Sequence, residues 1–229
     1  MPRVGVLLAG CGVEDGSEIY EAVLTILALE RGGATVQALA PDIEQAENVN
    51  HYRGYEERTG ELGGVRRSVL SESARIVRGK ITSTREVSAH DLDALIIPGG
   101  YGVTKNLCTY ARDGDNATVD DDVERLIREI AGLGKPIGAL CAGPILVALA
   151  LRDRQPTLTI GSDATTALGL TRLGAQHHVT GVADIYVDTK NNIVSTPAFM
   201  LAQSVSEAEP GITKLVNQVL EMTKAMARV

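Results

Sequence analysis

The stretch Lys135-Pro136-Ile137-Gly138-Ala139-Leu140-Cys141-Ala142-Gly143-Pro144-Ile145-Leu146 decides the fold. Its first apolar run is too short for a helix and predicts a buried strand that ends at Cys141. An apolar helical pattern resumes at Ile145, after small residues and a proline. A strand, one polar residue, a sharp turn and a helix form the pattern of a nucleophile elbow. We therefore predict that Cys141 is an exposed nucleophile in a strained backbone conformation, rather than one more buried small side chain.

The helix that follows the elbow also predicts the protonation state of the sulfur. Its positive N-terminal end would lie beside Cys141 and favour the thiolate over the thiol. We therefore expect the pKa of Cys141 to lie below the ordinary range of a free thiol.

Composition limits the fold class and the partners. The chain has 229 residues, 44% of them hydrophobic, which is enough for one domain with a substantial core. A net charge of −7, few aromatic residues and no basic or membrane-spanning run disfavour nucleic acid and membranes as partners. The three cysteines are odd in number and have no metal-binding spacing, so we expect neither a disulfide framework nor a zinc site. A cytoplasmic location is the simplest expectation for such cysteine usage.

Strands and helices alternate along the chain. We predict a strand over residues 3–9, a helix over 18–30 with Ser17 as N-cap, and a strand over 34–40. A strand–helix–strand unit of this length makes the sheet parallel, and one doubly wound α/β domain over 1–229 accounts for the chain. Further predicted elements are helices over 68–78, 118–133, 145–151, 164–173 and 212–226, strands over 81–87, 94–97 and 157–160, a hairpin of 185–187 with 193–196, and an irregular excursion over 42–64.

Three loops with unusual composition, residues 10–17, 98–102 and 141–144, follow predicted strands. Ligands of open α/β sheets bind outside the carboxyl ends of the strands, so these loops define the candidate site. The backbone N–H groups of Gly100 and Ala142 come from two separate loops and could hold a developing oxyanion. Tyr101, in the same loop as Gly100, is predicted to bind substrate.

Two further residues are candidates for proton transfer. Glu18 is the carboxylate best placed to lean over the sulfur, and it could shuttle a proton if burial raised its pKa. The alternative for Glu18 is a solvated acid stabilised by the helix dipole. His177 lies on a loop that could return toward the elbow and is a possible third partner, with solvation as its alternative.

Two other motifs have structural explanations. The acids of residues 120–122 resemble a metal cluster but are more economically the acidic N-terminus of a helix, so no metal site is predicted. The pattern Gly10-x-Gly12-x-x-x-Gly16, with Asp42 after the second strand, is similar to a dinucleotide fingerprint. Its last gap is one residue too long, and the acidic residues within it would repel a pyrophosphate.

Three motifs resemble the ElbB proteins, also called enhancing lycopene biosynthesis proteins or isoprenoid-biosynthesis glyoxalases. They are Gly-Cys-Gly-Val-x-Asp-Gly-Ser-Glu over 10–18, Ala-Leu-Ile-Ile-Pro-Gly-Gly-Tyr-Gly over 94–102 with 105–107, and Thr-Pro-Ala-Phe-Met-Leu-Ala-Gln over 196–203. That family belongs to the ThiJ/PfpI branch of the class I glutamine amidotransferase-like superfamily. The resemblance implies a flavodoxin-like three-layer sandwich, a homodimer, a Cys141–Glu18 pair and a weak, cofactor-independent glyoxalase activity that converts methylglyoxal to lactate or glyoxal to glycolate.

Two departures from related families narrow the function. Ala142 stands where the protease-like relatives place a histidine, and no histidine after His178 completes the triad of a glutaminase. An amidotransferase-like activity is therefore disfavoured, because no base can protonate a leaving amine. An aldehyde has no leaving group, so a small aldehyde is the expected substrate. The alternative function is a redox sensor in which Cys141 is oxidised to a sulfinic acid held by Glu18.

Overall fold

Strands and helices alternate along residues 1–52 and 66–226, the parts of the chain that this computed structural model describes. The strands are β1 (Arg3–Leu7), β2 (Thr35–Ala40), β3 (Ile81–Ser83), β4 (Ala94–Ile97), β5 (Ile137–Leu140), β6 (Thr157–Leu158), β7 (Gln176–His177), β8 (Tyr186–Asp188) and β9 (Ile193–Thr196). The α-helices are α1 (Ile19–Arg31), α2 (Val69–Ile76), α3 (Tyr110–Asp113), α4 (Asp121–Gly132), α5 (Gly143–Ala150), α6 (Ala164–Arg172) and α7 (Val205–Met226).

Seven strands form the central sheet in the order β3-β2-β1-β4-β5-β9-β8. All neighbours are parallel except β8, which runs antiparallel to β9 as the predicted hairpin requires. Helices flank the sheet, with α1 packed on α7 and α4 packed on α5. The predicted α/β class with a mostly parallel sheet is therefore confirmed.

The order of the strands locates the site. The chain builds the sheet in one direction through β2 and β3, and then returns to place β4 on the other side of β1. Such a reversal opens a crevice at the carboxyl ends of the two central strands. Both β4 and β5 are completely buried, as expected for continuous apolar runs that are covered on both faces.

The buried face of helix α1 is not the face that carries most of its large apolar residues. Four large apolar side chains, Ile19, Tyr20, Val23 and Leu27, are exposed. The buried face carries Glu21, Ala22, Thr25, Ala28 and Leu29. The helix therefore brings a carboxyl group into the interior of the molecule.

Several predicted boundaries are wrong for identifiable reasons. Ser17 is not the N-cap of α1, because Glu18 caps the helix and the Ser17 hydroxyl accepts the Ala9 N–H at 2.8 Å. Helix α7 begins at Val205 and runs through Pro210, whereas the predicted helix begins only at 212. Residues 103–107 form a π-helix that the prediction missed. Strand β6 pairs with β7 in a separate two-stranded sheet and not with the central sheet.

Two predictions concern the parts of the chain that are described incompletely. Residues 42–52 of the predicted excursion are irregular, and the remainder, from residue 53, lies outside the described residues. Within residues 1–52 and 66–226, no helix combines the length and the apolar character needed to cross a membrane.

Candidate active site

The predicted site loops interlock through their backbones at the carboxyl end of the sheet. The Glu18 N–H donates to the Gly99 carbonyl at 2.9 Å, and the Gly102 N–H donates to the Gly16 carbonyl at 2.9 Å. Glycine is required at residue 99, since a Cβ there would lie 2.5 Å from the Cβ of Cys141. The loops after β1, β4 and β5 therefore form one site, as their positions predicted.

Cys141 occupies a nucleophile elbow between β5 and α5. Its φ angle is 53°, a left-handed conformation that is strained for any residue except glycine. The Cys141 N–H donates to the Thr196 carbonyl at 3.1 Å, and Pro144 stands in the first turn of α5. The elbow is confirmed, but the side chain is buried and not exposed, at 9% of its full accessibility. Its sulfur lines a cavity at the carboxyl end of the sheet.

The carboxyl group that contacts the sulfur belongs to Glu21, which sequence reasoning missed. Glu21 is completely buried and forms a hydrogen bond with the Cys141 side chain. Its two carboxyl oxygens are also fixed by the backbone: Oε2 accepts the Gly99 N–H at 2.7 Å and Oε1 accepts the Phe199 N–H at 3.2 Å. The structure thus gives Glu21 the contact that we expected of Glu18.

Glu18 is held at the end of its own helix. It is the N-cap of α1, and its Oε2 accepts the Glu21 N–H at 2.6 Å. Because this hydrogen bond holds the Glu18 carboxyl at the start of the helix, that carboxyl cannot also contact the sulfur. Glu21, nearly one turn further along the helix, makes the contact instead. Glu18 nevertheless lines the same cavity as Cys141 and is only 9% exposed, so it is not the solvated acid of the alternative interpretation.

Burial reverses the expected pKa of the nucleophile. The pKa of Cys141 lies well above that of a free thiol, first because the group is buried and second because the Glu21 carboxylate repels a thiolate. Burial and then the charge of Glu18 raise the pKa of Glu21 to about 7. The predicted low pKa of Cys141 is therefore wrong. Two acids in contact cannot both ionise readily in a buried site, so Cys141 keeps its proton at neutral pH while Glu21 gains and loses its own near pH 7.

Burial also raises the pKa of Glu18, although the N–H groups of Glu21 and Tyr20 oppose that shift by stabilising the carboxylate. The helix terminus therefore holds one oxygen of Glu18 in place while the side chain remains inside the cavity. A carboxylate with these properties is oriented, poorly hydrated and able to exchange a proton.

The backbone donors at the sulfur are the ones that were predicted. The N–H groups of Gly100 and Ala142 both point to the Cys141 sulfur and oppose the rise of its pKa. The N–H of Tyr101 is committed elsewhere, since it donates to the Val13 carbonyl at 2.8 Å. Tyr101 instead contributes its half-exposed ring to the cavity wall.

The cavity over Cys141 has a volume of about 420 Å³ and is mostly apolar. Its charged component is a single carboxyl group, Glu18, among the described residues that line it. The remaining lining residues are Val13, Gly100, Tyr101, Thr104, Tyr110, Ala111, Ala142, Ile145, Thr166, Phe199 and Met200.

The prediction for His177 as a third partner is not supported by the geometry. His177 lies in β7 of the separate two-stranded sheet and is not among the residues that line the cavity. Burial, and then the neighbouring His178, lower the pKa of His177, so its ring is neutral. The pairing of β7 with β6 places His177 in the separate sheet, which the sequence did not reveal.

The acidic run at 120–122 and the glycine-rich loop after β1 both have structural roles. Asp120 caps α4 by accepting the Val123 N–H at 3.1 Å, and among residues 1–52 and 66–226 no cluster of His, Cys, Asp and Glu could hold a metal ion. In the glycine-rich loop after β1, Asp15 is buried and accepts the Val49 N–H at 2.7 Å. The loop thus holds the buried carboxyl group of Asp15, and a carboxyl group at this place does not fit a pyrophosphate-binding site.

Comparison with known families and structures gives a consistent relationship. A sequence model of the DJ-1/PfpI family matches residues 6–196. The crystal structure of an isoprenoid biosynthesis protein with an amidotransferase-like domain from Ehrlichia chaffeensis is 33% identical, with a TM-score of 0.87, over 96% of this chain and 99% of that chain. Drosophila melanogaster DJ-1beta is 19% identical with a TM-score of 0.56, over 99% and 97% of the two chains, which shows the shared fold alone.

Two curated relatives match most of the chain. "Glutamine amidotransferase-like class 1 domain-containing protein 3, mitochondrial" of Homo sapiens is 44% identical over 230 residues, 96% of this chain and 83% of the relative. "ES1 protein homolog, mitochondrial" of Rattus norvegicus is 42% identical over 230 residues, 96% and 84% of the two chains. These relatives are named as mitochondrial proteins, which contradicts the expected cytoplasmic location. Unpaired cysteines indicate a reducing compartment and cannot distinguish the cytoplasm from another one.

Proposed function

The chain belongs to the DJ-1/PfpI family, and from that premise we propose that it is a cofactor-independent glyoxalase-type enzyme. In this proposal Cys141 adds to the aldehyde carbon of an α-oxoaldehyde such as methylglyoxal, and the product is the corresponding α-hydroxy acid. One observation carries the proposal: the elbow sulfur, in contact with a buried carboxyl and two backbone N–H groups, lies in a cavity that holds a second carboxyl.

The first step uses Glu21. Its carboxylate takes the thiol proton while the sulfur of Cys141 bonds to the aldehyde carbon, and the carbonyl electron pair moves to the oxygen. The Gly100 and Ala142 N–H groups hold this oxyanion. The proton on Glu21 then passes to the oxygen and leaves a hemithioacetal. A raised pKa suits Glu21 to this role, since a group that titrates near pH 7 can both accept and return a proton.

The second step uses Glu18. Its carboxylate removes the hydrogen from the carbon that carries sulfur, and the electron pair moves into an enediolate. Glu18 returns the proton to the neighbouring carbon while the hydroxyl proton on the sulfur-bearing carbon passes to the enediolate oxygen, which yields a thioester of the α-hydroxy acid. Water then adds to the thioester carbonyl, and the thiol of Cys141 leaves. One carbon is oxidised and its neighbour is reduced within the same molecule, so the sequence of steps balances without an external oxidant.

The test is the formation of lactate from methylglyoxal. Cys141→Ser should lose activity by several orders of magnitude, because the alcohol is a far weaker nucleophile at neutral pH. Cys11→Ser is the matched control, since Cys11 does not line the cavity and this variant should keep the wild-type rate. A Cys141→Ser protein that forms lactate at near the wild-type rate would refute the proposal.

A redox sensor is the second candidate, and the donors at the sulfur favour it. The N–H groups of Gly100 and Ala142 would stabilise a sulfinate at Cys141, and a protonated Glu21 could donate to it. Mild peroxide followed by intact-mass measurement distinguishes the two functions. A sensor should gain two oxygen atoms at Cys141 before Cys11 or Cys108 reacts, whereas slow and unselective oxidation favours the enzyme.

The structural relative that is named an isoprenoid biosynthesis protein supports a finer placement with the ElbB proteins, which we also propose. The curated relatives carry other names, so this placement rests on that structure and on the motifs. Hydrolysis of glutamine stays disfavoured, because the described cavity lining contains no histidine that could protonate a leaving amine.

A further inference from the structure

The cavity over Cys141 is much larger than methylglyoxal needs. At about 30 Å³ for each non-hydrogen atom, the share of a molecule in liquid water, its volume of about 420 Å³ holds roughly 14 such atoms. Methylglyoxal would fill about a third of that space. Unfilled apolar space contributes no contacts, so a small substrate leaves most of the wall unused.

The wall of the cavity has the chemistry of an apolar binding site. Six of its side chains are large and apolar or aromatic, namely Val13, Tyr101, Tyr110, Ile145, Phe199 and Met200. Pockets of this size and lining bind the apolar part of a ligand and use a few polar groups for orientation. In this cavity the thiol of Cys141, the backbone N–H groups of Gly100 and Ala142 and the carboxyl group of Glu18 are the polar groups of the reacting end.

The charged side chain in the described lining of the cavity, Glu18, is an acid. Among the described residues, none that lines the cavity carries a positive charge. Lys105 lies 5.4 Å from the centre of the Tyr101 ring, but its ammonium group contacts the Glu47 carboxylate and donates to the Glu14 carbonyl at 2.7 Å. An anionic group on the substrate would lose its hydration without gaining a cationic partner.

We propose that the cavity selects neutral α-oxoaldehydes that carry a branched, cyclic or aromatic apolar group, and that it discriminates against anionic ones. This inference rests on the proposed glyoxalase function and specifies its substrate class. The reacting carbons lie between Cys141 and Glu18, and the apolar group fills the space between Tyr110, Phe199 and Met200. Glutamine and other amino acids are poor ligands for the same reason, since their carboxylate finds no cation in the described lining.

The experiment compares three substrates that differ in one property at a time. Methylglyoxal is the small reference, isopentylglyoxal adds a branched apolar chain, and carboxyethylglyoxal has the shape of isopentylglyoxal with a carboxylate in place of the isopropyl end. We expect kcat/KM for isopentylglyoxal to exceed that for methylglyoxal by at least roughly 10- to 100-fold, because isopentylglyoxal adds four carbons and a single well-packed carbon can contribute about that factor in an apolar pocket. Carboxyethylglyoxal should be at least about 10-fold poorer than isopentylglyoxal.

Two variants test the wall and the charge separately. Met200→Trp narrows the cavity, so the ratio of kcat/KM for isopentylglyoxal to that for methylglyoxal should fall toward one. Ala111→Lys places a cation at an exposed position of the wall and should raise kcat/KM for carboxyethylglyoxal relative to isopentylglyoxal. Ala111→Gln is its uncharged control. Because Ala111 is exposed on α3, its variants should fold even if Met200→Trp does not.

The outcomes separate this inference from the proposed function. Equal or better kcat/KM for methylglyoxal or for the anionic substrate, dependent on Cys141, overturns the substrate class and leaves the glyoxalase function standing. An absence of Cys141-dependent turnover with all three substrates overturns the proposed function and this inference with it. Selectivity for isopentylglyoxal that collapses in Met200→Trp, with recovery of the anion in Ala111→Lys but not in Ala111→Gln, supports both.

Discussion

Replacing Glu21 by glutamine should change how the stability of the protein depends on pH. Burial raises the pKa of Glu21 from 4.5 to about 7, so the folded state holds this proton more tightly than the unfolded chain does. The stabilisation from that proton is complete below the unfolded pKa and is lost as the pH rises through the folded value. The wild type should therefore lose stability between about pH 4.5 and pH 7.

The size of this loss of stability follows from the pKa shift of Glu21. A displacement of about 2.5 units at about 1.36 kcal/mol each corresponds to about 3 kcal/mol of unfolding free energy. Glutamine removes this pH dependence but places an amide N–H against one of two backbone donors, Gly99 or Phe199. That mismatch costs about 1–3 kcal/mol at every pH. Part of the loss has already occurred at pH 5, so Glu21→Gln should be less stable than the wild type at pH 5 and should recover by about 2–3 kcal/mol, relative to the wild type, at pH 8.

Urea unfolding of both proteins at pH 5, 6, 7 and 8 measures this difference directly. Glu30→Gln is the matched control, because it makes the same chemical change at an exposed position of the same helix and should follow the wild-type curve. Contributions from titrating groups that do not interact with Glu21 cancel in the comparison. A difference in unfolding free energy between Glu21→Gln and the wild type that stays constant from pH 5 to pH 8 would refute the assignment of Glu21 as a buried, titrating acid.

Three further measurements test the site and the assembly. Glu18→Gln should lower lactate formation by roughly 10²- to 10⁴-fold, the range typical of general acid–base catalysis, while mass spectrometry still detects the aldehyde adduct; a near wild-type rate contradicts the role of Glu18. In a protein with Cys11 and Cys108 replaced by serine, alkylation of Cys141 should show a midpoint above the free-thiol value of about 8.5, and Glu21→Gln should lower it; a wild-type midpoint below that value contradicts the burial argument. The homodimer implied by the resemblance stays a prediction: Val23→Glu, which places a charge in the exposed apolar row of α1, should shift the protein toward the monomer in sedimentation, and a monomeric wild type contradicts it.

The fold could be predicted because its strongest signals are local. The apolar runs at 94–97 and 137–140 are too short for helices and are bounded by proline and glycine, so they identify two central strands. The start of α7 could not be predicted, because a proline such as Pro210 is typical of a helix boundary. In the structure, packing against the sheet keeps the helix continuous through this residue. The separation of β6 and β7 into a second sheet depends on long-range pairing, which leaves no local pattern.

The sequence predicted the elbow and the backbone donors of the candidate site, but not the carboxyl group that contacts the sulfur. The elbow at Cys141 and the donors Gly100 and Ala142 follow from turn chemistry, which small residues reveal. Glu21 was missed because an acid within a helix is normally assigned to the solvent face. A signal was present: Glu21, Thr25, Ala28 and Leu29 repeat at the spacing of one helical face, and the small residues of that face allow close packing. The large apolar residues of α1, which drew attention instead, lie on the exposed side.

The spacing of Glu18 and Glu21 explains how one helix can supply two acids with different environments. Glu18, at the N-cap, is held by the helix terminus and remains in the cavity, whereas Glu21, three residues later, turns inward and meets the sulfur. Together with Cys141 they place three groups that can become negative around a site where the described opposing partners are backbone N–H groups. Each added negative charge therefore raises the cost of the next. Repulsion from the Glu21 carboxylate, which together with burial keeps the proton on Cys141, would also act on an anionic substrate, so the protonation state of the site and the proposed preference for neutral aldehydes share an electrostatic cause.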